Sequence, residues 1–113
     1  MKARDSHSNP VRDVQWIDTT AVVRLAGDIN IESAGSLQKA VQPILDRKPR
    51  RIVVDMAEVH YMDSSGIASL IKLWKSGIEL RLAGLDQRTR EVLEITRVDA
   101  LFAIFPTVAA ALE

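Results

Sequence analysis

Val53-Val54-Asp55-Met56-Ala57-Glu58-Val59-His60-Tyr61-Met62-Asp63-Ser64-Ser65-Gly66-Ile67 is the stretch on which the fold of this chain turns. Ile52-Val53-Val54 is apolar without alternation, as expected of a central strand covered on both faces. A short polar connection is expected after it, and Ser64-Ser65 then opens a helix in which Ile67, Leu70, Ile71 and Trp74 recur at i, i+3, i+4 and i+7. The first amides of such a helix have no internal partner. A serine can cap them, and the same amides with the helix dipole can instead hold a phosphate.

Working outward from this stretch, the chain alternates strands with helices. Val14-Gln15-Trp16-Ile17 and Ala21–Ala26 read as an opening hairpin around the turn residues Asp18-Thr19-Thr20. Gly27-Asp28-Ile29-Asn30 is expected to break the second strand. Ile31, Ala34, Leu37, Ala40, Val41, Ile44 and Leu45 then form one helical stripe that ends at Lys48-Pro49-Arg50. Beyond the central unit, Gly77 stops the second helix, Ile78–Ala83 alternates as a strand with one wet face, and Asp86 caps a third helix to about Thr96. Leu101–Phe105 reads as a terminal strand or a buried helical turn, and Pro106 suits the start of a last helix over Thr107–Leu112. The order ββαβαβαβα requires crossover connections, hence a partly parallel sheet with helices packed on it.

At 113 residues the chain fits one domain, predicted over residues 14–113, with the polar residues 1–13 as a flexible tail. Lysine plus arginine and aspartate plus glutamate number 15 each, so no global field advertises nucleic acid or an anionic membrane as a direct partner. Cysteine is absent, which removes thiolate catalysis and thiolate metal sites. The first residues lack the apolar core of a secretion signal, and no apolar run is long enough to span a bilayer. The expectation is a cytoplasmic protein without membrane insertion.

Three pieces together carry a family resemblance: Met62-Asp63-Ser64-Ser65-Gly66-Ile67 after an apolar strand, Gly27-Asp28-Ile29-Asn30 after the second strand, and Leu101-Phe102-Ala103-Ile104-Phe105-Pro106 near the end. From about Val14 to Leu112 the sequence resembles the STAS family, the sulphate-transporter and anti-sigma-antagonist domain. The fold implied is α/β, a STAS-like single domain with a mixed four- to five-stranded β-sheet and packed α-helices. The function implied is that of an anti-sigma factor antagonist. Its unphosphorylated form would bind an anti-sigma factor that is also a serine protein kinase, and so release a sigma factor. Phosphorylation of the serine after the aspartate would switch it off, a role that falls on Ser64. Two positions depart from the family's habit: Asn30 where an acidic residue is common, and Ala68 where a glycine is often found.

The partner surface expected from these considerations comprises Asp28, Asn30, Asp63, Ser64, Ser65, Gly66, Ser69 and Lys72. Ser65, Ser69, Lys72 and Ser76 recur at helical spacing and are mostly small, either to admit a close partner surface or as a solvated face. The alternative is a STAS subunit that docks on the ATPase of a lipid-transport ABC system. A membrane sulphate transporter is disfavoured because no transmembrane part accompanies this chain. An enzyme reading lacks parts, since no Gly-x-Ser-x-Gly elbow surrounds Ser64 and no histidine is placed to activate it. No catalytic residue, cofactor or metal site is therefore expected. His7 lies in the tail and His60 has no second ligand at metal spacing. Trp16 and Trp74 read as packing residues, and Arg47, Lys48, Arg50 and Arg51 as a solvated basic loop.

Overall fold

The computed structural model describes residues 9–113. The elements are β1 (Val11–Ile17), β2 (Thr20–Ile29), α1 (Ile31–Asp46), β3 (Arg51–Met62), α2 (Ser64–Lys75), β4 (Glu79–Ala83), α3 (Gln87–Ile95), a 3-10 turn (Asp99–Leu101), β5 (Ala103–Phe105) and α4 (Val108–Ala111). The five strands lie in chain order in one sheet. β1 pairs antiparallel with β2, and every later neighbour is parallel. The expected order is therefore observed. The first strand begins at Val11, however, so it takes in Val11, Arg12 and Asp13, which the sequence reading had placed in the tail. The remainder of that tail, His7 included, lies largely outside the described residues.

Alternation divides the sheet into two unlike faces. Val23 and Leu25 of β2, Ile52, Val54 and Met56 of β3, and Leu80 and Leu82 of β4 point to one side. There they meet Leu37, Val41 and Ile44 of α1, Ile67, Leu70 and Leu73 of α2, and Leu93 of α3. The opposite face carries a smaller cluster of Val22, Val53 and Ala83, closed by Ala111 of α4. Ile52, Val53 and Val54 are at most 1 % exposed, which is why that triplet shows no alternation.

Two strands run further than their sequence suggests. Gly27-Asp28-Ile29 does not break β2, and the stretch after Val54 is not a loop. Both continue as a paired ribbon, with Ala26 opposite Glu58, Gly27 opposite Val59, Asp28 opposite Tyr61 and Ile29 opposite Met62. The register shifts twice along this ribbon, and Gly27 takes a φ of 86°. Such irregularities displace the buried positions to Met56, Val59 and Met62, so the period of two is lost and the segment looks like a polar connection. β4 accompanies β3 only from Arg51 to Asp55. The ends of β2 and β3 consequently project as a pair past the rest of the sheet.

The helices also differ in detail. Ile31 is 77 % exposed and does not belong to the α1 stripe. Pro43 lies within α1 on its exposed side, and the helix ends not at Pro49 but with Arg47 as cap and Lys48 at a φ of 53°. In α2 the buried apolar side chains are Ile67, Leu70 and Leu73, while Trp74 is 40 % exposed, so Trp74 is not squarely on the inner stripe. Gly77 follows the Ser76 cap with a φ of 88°, as the end of that helix requires.

Candidate functional site

Because β2 and β3 are parallel and paired to their last residues, the loops that follow them leave the same sheet edge. The Asp63 amide donates to the Ile29 carbonyl at 3.1 Å, which ties the start of α2 to the end of β2. Gly66 permits this approach. A Cβ there would lie 2.8 Å from the Ile29 carbonyl oxygen and 2.6 Å from Met62 Cγ. Asp28 and Asn30 are thereby brought beside Asp63, Ser64 and Ser65.

Each helix start has its own cap. Asn30 Oδ1 accepts from the amides of Glu32 at 2.9 Å and Ser33 at 3.2 Å, and the Ser33 hydroxyl accepts from the Asn30 amide at 2.9 Å. Asp63 Oδ1 accepts from the amides of Ser65 at 2.9 Å and Gly66 at 3.3 Å. Neither Ser64 nor Ser65 takes the capping role open to a serine at this turn, for the carboxylate of Asp63 fills that position. An ionised acceptor next to the positive helix end is the stronger cap. Ser64, at the first helical position, is exposed and takes no part in it, and Ser65 is half-buried.

The electrostatic setting is acidic. Asp28 and Glu32 are exposed on the neighbouring loop and first turn, Asp63 is half-buried, and the basic residues of α2 lie in its last turn. A phosphoryl group on Ser64 would meet helix-end amides on one side and this acidic rim on the other.

Not every predicted site residue joins the cluster. Ser69 is only 3 % exposed, and its hydroxyl donates to the Ser65 carbonyl at 3.1 Å, so it is not on the outer face of α2. Lys72 reaches across to α1, where its Nζ donates to Gln38 Oε1 at 3.3 Å. Ser76 closes the far end of α2 by donating to the Leu73 carbonyl at 2.6 Å. Conversely, two exposed apolar residues adjoin the site without having been singled out: Ile31, directly after the Asn30 cap, and Tyr61, paired with Asp28 and 47 % exposed. Ile31 continues the apolar period of α1, so periodicity alone assigns it to the core.

Other polar groups have structural duties. Asp55 accepts from the Ala57 amide at 3.1 Å, and Glu58 pairs with Arg24 at 3.3 Å. The basic loop is divided, with the Arg47 guanidinium 4.1 Å from the Trp16 ring centre and Arg51 3.5 Å from Glu79. The Arg81 hydrogen bond holds the Glu79 carboxyl below the ordinary glutamate range, aided by Arg51. Asp86, which caps α3, is likewise held low, chiefly by the Thr89 amide. Among the described residues no group of three or more His, Asp or Glu could hold a metal ion, and no helix is long and apolar enough to cross a membrane.

The STAS domain model matches residues 12–111, and the chain belongs to that family. Among similar proteins, the anti-sigma-F factor antagonist RsfB of Mycobacterium tuberculosis is 26 % identical over 116 residues, covering 99 % of this chain and 92 % of that protein. An anti-sigma-B factor antagonist of Listeria monocytogenes is 30 % identical over 97 residues, or 82 % of each chain. Among solved structures, an anti-sigma factor antagonist from Mycobacterium paratuberculosis superimposes with a TM-score of 0.81 at 24 % identity over 88 % of both chains. SpoIIAA in its unphosphorylated form gives a TM-score of 0.66 at 15 % identity, over 88 % of this chain and 93 % of that one. At these identities the structural likeness concerns the fold.

Proposed function

We propose that the chain is a cytoplasmic anti-sigma factor antagonist, whose unphosphorylated form binds an anti-sigma factor with serine kinase activity and releases a sigma factor. Phosphorylation at Ser64 switches it off. The observation that carries this reading is the exposed Ser64 at the first turn of α2, relieved of capping by Asp63 and bordered by the Asp28–Asn30 loop. Asp28, Asp63, Ser64 and Ser65 form the polar part of the contact, with Ile31 and Tyr61 as apolar anchors at its edge. Asn30 and Gly66 act indirectly, one by capping α1 and the other by letting α2 approach β2. The names of the similar antagonists support the same reading.

The switch is electrostatic. A phosphoserine adds roughly 1.5 to 2 negative charges beside Asp63, Asp28 and Glu32, while helix-end amides accommodate the group without unfolding α2. Ser64→Asp is expected to keep the wild-type circular dichroism and unfolding midpoint but to lose about tenfold or more in partner affinity, like charges being costly at an interface. Wild-type affinity in that variant would overturn the switch. With the cognate kinase and ATP, Ser65→Ala should be labelled and Ser64→Ala should not. Co-purification then separates this reading from docking on a transporter ATPase, according to whether the captured partner is a serine kinase or an ABC ATPase.

A further inference from the structure

β1 is an edge strand, and among the described residues nothing pairs with its outer side. The direction of its backbone groups follows from the turn after it. Asp18-Thr19 is a two-residue loop with Ile17 opposite Thr20, so Ile17 and Thr20 exchange both backbone hydrogen bonds. Alternation then turns Gln15 and Asp13 toward β2 as well, where they lie opposite Val22 and Arg24. The amides and carbonyls of Val14 and Trp16 point the other way, off the edge of the sheet.

Open edges are ordinarily blunted by proline, charge or bulges. In β1 such devices stand only at the two ends. Pro10, the register shift at Arg12 and the charge of Asp13 precede the open stretch, and Asp18 with a φ of 54° follows it. Val14-Gln15-Trp16 between them is uncharged and pairs regularly with β2. Val14 and Trp16 are half-buried against the core, while Gln15 is exposed on the other face.

We infer that β1 pairs antiparallel with β1 of a second copy of this chain, about a twofold axis at Gln15. The outward backbone groups decide the register. With Gln15 at the axis, Val14 of each copy faces Trp16 of the other, and each of these pairs exchanges two hydrogen bonds. With Val14 at the axis, the next pair would need the bulged Arg12. With Trp16 at the axis, it would need Asp18, which lies in the turn. Charge agrees with the first register. Arg12 of one copy then lies opposite Asp18 of the other and Asp13 opposite Ile17, so no like charges meet across the seam. The axis sends the two Ser64 turns to opposite ends of a continuous sheet and leaves both open, so the pairing does not rest on the proposed function.

Sedimentation equilibrium of the full chain at rising concentration tests the pairing, with the mass expected to move from one chain toward two. Val14→Pro removes an outward amide without taking a bond from β2, and should weaken association about tenfold through the two bonds lost by symmetry. Arg12→Glu should weaken it about fivefold by facing Asp18 of the other copy, and adding Asp18→Lys should restore it. The chain has no cysteine, so Gln15→Cys reads the register directly. At the axis its two Cα atoms would lie about 4.5 Å apart, within disulfide reach, and mild oxidation should link the copies. Asp13→Cys, displaced from its own counterpart, should link at least tenfold more slowly. A mass of one chain at every concentration, wild-type association of Arg12→Glu, or equal linking of the two cysteine variants would each overturn the inference.

Discussion

Gly66 and Gly35 show how one substitution takes opposite signs at two helical sites. An exposed glycine inside a helix ordinarily costs about 1 kcal/mol relative to alanine. Gly35 in α1 has nothing within 4 Å of an added Cβ, so Gly35→Ala should raise stability by about that amount. At Gly66 the new methyl would meet a backbone carbonyl at 2.8 Å, and α2 would have to move off β2. Gly66→Ala should therefore lower stability by about 1–3 kcal/mol, as overpacking does. Urea unfolding of both variants checks the pair of signs. Because the same displacement separates Asp28 from Ser64, Gly66→Ala should also weaken partner binding. The neighbouring serines are distinguished by position in the same way, since Asp63 caps the helix and leaves Ser64 outward.

At the scale of elements, the paired extension of β2 and β3 is what creates the site. It carries two loops to one edge, beyond the reach of β4, and its register shifts are the reason the sequence pattern dissolves there. In α2 the sequence period assigns Ile67, Leu70, Ile71 and Trp74 to the inner face, but Leu73 adjoins that stripe and competes with Trp74 for the contact with α1 and the sheet. Packing selects Leu73, which is 8 % exposed, over Trp74 at 40 %. Leu73→Ala should cost about 2–5 kcal/mol by leaving a cavity beside Leu37 and Val41. Trp74→Ala, despite removing a larger side chain, should cost less. Thermal unfolding of the two variants measures the order directly.

Across the whole molecule, the acid limb of stability is tied to carboxylates that fold into hydrogen bonds. Glu79 and Asp86 both have lowered pKa values in the folded protein, one chiefly through Arg81 and the other chiefly through the Thr89 amide. A lowered folded value contributes stability that is present above the unfolded value and lost as pH falls through the folded one. These two contributions should be constant near neutrality and decline below about pH 4–5. Glu79→Gln combined with Asp86→Asn should flatten that part of the profile, as urea unfolding between neutral and acidic pH would reveal. Asparagine still caps a helix, so the second change removes the charge with little effect on α3.

The element order, the buried central strand, the Asp63-Ser64-Ser65-Gly66 turn and the family resemblance were legible in the amino-acid order, because hydrophobic period, glycine and cap chemistry are local properties of a chain. Packing in three dimensions was needed to carry β2 and β3 past Gly27 and Asp55, to make Asp63 the cap of α2, to bury Ser69 against the α1 side, and to leave Ile31 and Tyr61 exposed near the Ser64 turn. Those outcomes depend on strand register and on which helix face finds a neighbour. Both are settled by packing between residues far apart in the chain, and neither leaves a periodic trace in the sequence.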